Sequence, residues 1–80
     1  MTKLQEVRKE KGWSQAVFAE KTGLALRTIT SLEQGVRSVN KAELSTLLKL
    51  CIALECPLEA ILDDPETLNL LEQYRKIIVK

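Results

Sequence analysis

The side chains able to recognise a ligand cluster in one stretch, Ser14 to Gly35. Ser14 and Gln15 stand at its start; Arg27, Thr30, Ser31 and Gln34 follow on a second segment. These are hydrogen-bond donors and acceptors of the kind that grip phosphates and base edges, and none of them is set up to make or break bonds. Elsewhere the chain offers little for catalysis. It has no histidine, so the commonest general base is missing. No serine sits in a nucleophile elbow, and no glycine-rich loop can cradle a phosphate. Cys51 and Cys56 are not a CxxC pair and have no histidine to complete a zinc site. Both read as small buried hydrophobes. The sequence therefore implies no metal, no cofactor and no small-molecule ligand.

The stretch that carries these residues reads as a short helix, a tight turn and a second helix. Ala19 is small and lets the second helix approach. Gly23 ends the first helix at a positive φ that glycine reaches cheaply. Leu24 turns inward. Ile29 and Leu32 lie three apart and pack back onto Phe18 and Ala19. Arg27, Thr30, Ser31 and Gln34 are left on other faces. A second helix that is solid on one side and polar on the other suits the major groove of DNA. Ser14 is the expected N-cap, which puts Trp13 and Phe18 at the two positions of a hydrophobic staple. Gln15 then stands beside free N–H groups at the positive helix end, a place for a phosphate oxygen.

Charge agrees with that partner. The net charge is only +1, but Met1–Lys41 holds eight Lys/Arg against four Asp/Glu, and Ala42–Lys80 holds four against seven. A basic N-terminal half fits a polyanion. Lys9, Arg37 and Lys41 are expected phosphate contacts. With 80 residues, 45% of them apolar, the chain has enough core for one small domain and no more. No apolar run approaches membrane-span length and no signal-peptide pattern is present, so the expected location is cytoplasmic.

The remaining elements must position this reader. Thr2 caps a first helix to about Lys11, closed by Gly12. Its inward face includes Arg8 beside Leu4 and Val7, and Glu33 shares the inward face of the third helix with Ile29 and Leu32. Two charges on core faces imply that they meet as a structural ion pair. Asn40 is the expected cap of a fourth helix carrying Leu44, Leu47, Leu50, Cys51 and Leu54 inward, with Leu48 and Ile52 as a flanking stripe. Pro57 opens a short fifth helix with Leu58, Ile61 and Leu62. Asp64-Pro65-Glu66 is a strong start signal for a sixth, running to about Val79. Its apolar arc is Leu70, Leu71, Tyr74, Ile77 and Ile78.

Taken together, R8-x3-G12-W13-S14-Q15-x2-F18-A19-x3-G23-x5-I29-x2-L32-E33-x-G35, followed by L47-x2-L50-C51-x2-L54, resembles the Cro/cI-type (XRE) helix-turn-helix family of lambdoid phage repressors. The resemblance covers roughly residues 4–62. It implies an all-α, five-helix repressor-type domain, a buried pair between the positions of Arg8 and Glu33, and a phosphate or base contact at Gln15. It also implies groove-facing positions at Leu26, Arg27, Thr30 and Ser31, and a backbone contact at Arg37. Four departures stand out. Ala25 replaces the usual Ser or Thr cap of the third helix, and Leu26 is apolar where it faces the groove. Glu55 replaces the usual glycine before the fifth helix, and Val39 stands near the usual loop proline.

The resulting expectation is a DNA-binding domain at 1–63 and an additional C-terminal amphipathic helix at 64–80 that folds back onto the Leu48/Ile52 stripe of its own domain, pairs with a second subunit, or does both. The function expected is a sequence-specific transcriptional regulator, a repressor or autoregulator bound as a homodimer to a palindromic operator in double-stranded DNA. Leu58, Ile61, Leu70, Leu71, Tyr74, Ile77 and Ile78 are the expected dimer interface. The competing expectation is an antitoxin or adaptor that uses the fold to hold a protein partner.

Overall fold

A computed structural model describes residues 2–78. Five α-helices run in order: α1 (Lys3–Glu10), α2 (Gln15–Thr22), α3 (Leu26–Glu33), α4 (Leu44–Leu54) and α5 (Pro65–Ile78). Single 3-10 turns at Val39–Lys41 and Leu58–Ala60 precede α4 and α5. The architecture is all-helical, as the sequence implies. The expected fifth helix is only the 3-10 turn at Leu58–Ala60, so the expected sixth helix is α5. Four residues separate Pro57 from Leu62, and Ile61 and Leu62 are drawn into the core before a second turn can form. The expected last helical residue, Val79, lies outside the described residues.

The core gathers Leu4 from α1, Phe18 and Ala19 from α2, Ile29 and Leu32 from α3, and Leu47, Leu50, Cys51 and Leu54 from α4, with Val39, Ile61 and Leu62 closing it. From α5, Leu68 and Leu71 pack against this cluster. Full burial of a Leu, Ile or Phe side chain contributes about 1.5–3 kcal/mol, so these residues dominate the stability of so short a chain. Leu44 is the exception to the expected inward face. It is 64% exposed, because α4 starts at that residue and its first turn overhangs the core. Asn40 does not cap α4 either. The helix begins after Glu43 with no side-chain cap, and Asn40 sits in the preceding 3-10 turn. There its amide donates to Asp63 and its carbonyl oxygen accepts the N–H groups of Asp63 and Asp64, which fastens this turn to the approach of α5.

Lys3 makes a second such tie. Its ammonium donates to the carbonyl oxygens of Glu59 and Leu62 at 2.7 and 2.6 Å, anchoring the Leu58–Ala60 turn to α1. At the start of α5 Asp64 acts as the cap, accepting from the Thr67 N–H and hydroxyl. Those bonds hold its carboxyl below the usual carboxylate range.

Candidate nucleic-acid interface

α2 and α3 pack directly on each other across the turn at Gly23, which has φ 75°. The turn is locked by Thr22, whose buried hydroxyl donates to the Ala19 carbonyl and accepts the Leu24 N–H. Ser14 caps α2, its hydroxyl accepting the Val17 N–H at 3.1 Å. Trp13 and Phe18 meet with ring centroids 6.1 Å apart, the staple geometry that fixes how the chain joins α2. Lys21 lies over the Trp13 ring, 4.9 Å from its centroid.

Beneath these helices lies a charged network that orients them. Arg8 Nε and Nη2 donate to the two Glu33 carboxylate oxygens at 2.7 and 3.0 Å. Both side chains are out of water, 8% and 0% exposed. Arg8 Nη1 donates to the Trp13 carbonyl at 2.6 Å, so one guanidinium binds α1 to α3 and to the residue before the α2 cap. The planar fork of arginine matches this set of acceptors, and a lysine would not. Gln15 completes the network from α2. Its amide donates to Glu33 Oε1 at 3.1 Å, and its oxygen accepts the Thr30 hydroxyl at 3.4 Å. Thr2 adds a bond from its hydroxyl to the Glu33 carbonyl.

That arrangement settles how the expected interface residues stand in the free chain. Ser14 is exposed at the start of α2. The Gln15 side chain is half-buried and engaged with Glu33 and Thr30, so in the free chain it does not project toward a phosphate. Its place at N1 leaves the first backbone N–H groups of α2 for an outside acceptor, since Ser14 satisfies only that of Val17. On α3, Leu26 and Arg27 are exposed and Thr30 and Ser31 half-buried. Ala25 gives α3 no side-chain cap. α3 ends at Gly35, φ 78°, in a motif that bonds the Val36 N–H to the Ser31 carbonyl, and the Arg37 N–H reaches the same oxygen. Arg37, Lys41 and Lys9 are all exposed, Arg37 on the loop that this bond fixes behind α3.

The expected dimer residues divide. Ile61 is 1% exposed and belongs to the core, so it is removed from any surface role. Leu58 and Leu71 are half-buried and packed against the core. Leu70, Tyr74, Ile77 and Ile78 are exposed along α5. A second apolar stripe, Leu44, Leu48 and Ile52, is exposed on α4. The sequence pattern flagged the last two of these but left open that α5 might cover them. Among the described residues it does not: α5 turns Leu68 and Leu71 to the core, and Arg75 pairs with Glu59 at its edge.

A compact helical domain presenting a polar second helix of a helix-turn-helix defines the class of DNA-binding regulators. The family described as Helix-turn-helix matches residues 4–61, and the chain belongs to it, in the Cro/cI (XRE) type. No curated protein and no solved structure matches the chain. Membership makes the protein a DNA-binding transcriptional regulator in general terms. Among the described residues no group of His, Cys, Asp and Glu could hold a metal, and no helix is long and apolar enough to cross a membrane.

Proposed function

We propose that this chain is a repressor or autoregulator that binds a palindromic operator as a homodimer, with residues 1–63 reading DNA and residues 64–80 pairing the subunits. The observation that carries the reading is the outer face of α3. Arg27, Thr30 and Ser31 stand on a helix whose other side is fixed by the core and by the Arg8–Glu33 pair. In this reading α3 enters the major groove and Arg27 donates to guanine. Thr30 and Ser31 adapt to neighbouring bases, and Leu26 meets a thymine methyl. Ser14, the α2 N–H groups, Arg37 and Lys41 hold phosphates, which set register without reading sequence. Gln15 either keeps its place on Glu33, bracing Thr30, or rotates to the backbone.

Two recognition helices must lie about 34–36 Å apart to read two half-sites one turn apart. A two-fold pairing through the exposed α5 face of Leu70, Tyr74, Ile77 and Ile78 would supply the second copy and cover that face. Selection of bound duplexes from a random pool tests the proposal. It predicts a consensus of two inverted half-sites and an affinity that falls with log salt at a slope of about −0.9 per phosphate neutralised. An enriched pool with no consensus would contradict it. The exposed Leu44, Leu48 and Ile52 stripe favours a second reading, an adaptor or antitoxin holding another protein. Copurification of one small unrelated protein at fixed stoichiometry from the native host, with no duplex enriched, would support that reading instead.

A further inference from the structure

α4 ends in a Schellman motif built around an unusual residue. Glu55 adopts φ 52°, ψ 47°, the left-handed region. Its N–H donates to the Ile52 carbonyl at 3.3 Å, and the Cys56 N–H donates to the Cys51 carbonyl at 3.1 Å. This closure brings together the side chains at its two ends, which in most such motifs are a pair of apolar residues. Here both are cysteines, and both are free thiols. The bond between their main chains keeps the Cα separation to at most about 7 Å, the outer limit of what a disulfide spans.

The two differ in access. Cys51 is in the core, and burial pushes its thiol up to about 12, with Cys56 adding to the effect. Cys56 is half-buried at the core edge. Burial raises its thiol too, but the neighbouring Cys51 and the charge of Lys11 pull it back.

We infer that Cys51 and Cys56 form a redox modification site, in which Cys56 reacts first with a small-molecule disulfide and Cys51 resolves the adduct into an intrachain bond. Cys56 releases its proton to solvent, and its thiolate attacks one sulfur of the small disulfide. The S–S bond breaks and one small thiolate leaves. Cys51 then loses its proton and attacks the Cys56 sulfur, breaking the mixed disulfide and expelling the second thiolate. Two protein thiols are oxidised, one small disulfide is reduced to two thiols, and the released thiolates take up the two protons. A thiol as weakly acidic as Cys51 is a poor match for a reagent in solution. Its partner here is tied to it by the main-chain bond that closes the motif, and that proximity offsets the low thiolate fraction. The product ties the residue before Pro57 back to α4 across Glu55, so the last turn of α4 cannot unwind without carrying the Leu58–Ala60 turn with it.

The test equilibrates the full-length chain with mixtures of oxidised and reduced glutathione, once folded and once in urea. Acid quenching, alkylation and mass spectrometry then follow the tryptic peptide from Leu50 to Arg75, which contains both cysteines. The folded chain should give mainly a peptide that has lost two hydrogens and takes up no alkyl group. Its effective thiol concentration should exceed that in urea by at least about tenfold, because a fold that favours the bond is itself favoured by it. Cys51→Ser should stop at a glutathione adduct on Cys56. Cys56→Ser should leave Cys51 unreacted while folded. A wild-type chain that stops at the Cys56 adduct, links to a second chain, stays reduced, or gains nothing over urea would overturn the inference. So would a folded Cys56→Ser chain that reacts at Cys51 as fast as the wild-type pair.

Discussion

Replacing Arg8 with Met, Glu33 with Gln, and both together measures what the buried pair contributes. In Arg8→Met the Glu33 carboxylate keeps only the Gln15 amide, at 3.1 Å, and the Trp13 carbonyl loses its donor. In Glu33→Gln the guanidinium remains charged where only 8% of its surface reaches water. Removing one partner of such a pair costs about 3–5 kcal/mol, mostly from the charge left behind. For a domain of this size each kcal/mol lowers Tm by about 4–8 °C, so each single variant should melt roughly 12 °C or more below the parent. The double variant buries no unpaired charge. It should be more stable than the sum of the single losses implies by about 1–3 kcal/mol. Urea unfolding followed by tryptophan fluorescence reports directly, since Trp13 is the sole tryptophan and borders the network. Additive losses, within about 0.5 kcal/mol, would mean that the two charges are not energetically coupled and that the packing of the three helices stands on the apolar core alone.

Three further outcomes follow from single features. Glu55→Gly relieves the only described non-glycine residue at positive φ and should raise stability by about 0.5–1 kcal/mol, read from the urea midpoint; a loss would mean the Glu55 side chain compensates its backbone. Asp64, with its carboxyl held below the ordinary range by Thr67, adds stability that is full above its unfolded value and fades as pH falls through its lower folded value. The Thr67 amide shift should therefore titrate at acid pH in the parent and stay flat in Asp64→Asn. Tyr74→Lys with Ile77→Lys alters exposed positions on α5, so the chain should stay folded, sediment as a monomer at micromolar concentration and bind a two-half-site duplex far more weakly; an intact dimer would remove α5 from the interface.

Much of the fold was legible because its signals are local. Gly23, the Ser14 cap with its Trp13–Phe18 staple, and the Asp64-Pro65-Glu66 start each specify their own few residues. The Arg8 and Glu33 anomaly was legible for a different reason: a charge on an apolar face has few affordable partners. What escaped was set by tertiary competition. Asn40 has a good cap's side chain, but the ends of the two connections lie close together, and Asp63 and Asp64 claim it. The segment after Pro57 has helical periodicity, yet Ile61 and Leu62 are needed in the core before a helix can extend. Gln15 reads as a free phosphate donor until Glu33 is seen within 3.1 Å of its amide. The pairing of Cys51 with Cys56 depends on Glu55 taking a left-handed conformation, which its residue type gives no reason to expect.

The reading of DNA by α3 is tested most directly by repeating the duplex selection with Arg27→Ala. Arg27 is exposed on the first turn of α3, so its truncation leaves the fold intact. The consensus selected should lose preference at one base pair per half-site, worth about 1–3 kcal/mol, and keep the others. An Arg27→Ala consensus identical to the parent's at every position, with affinity reduced alike on all sequences, would contradict base recognition by Arg27 and assign it to the phosphate backbone.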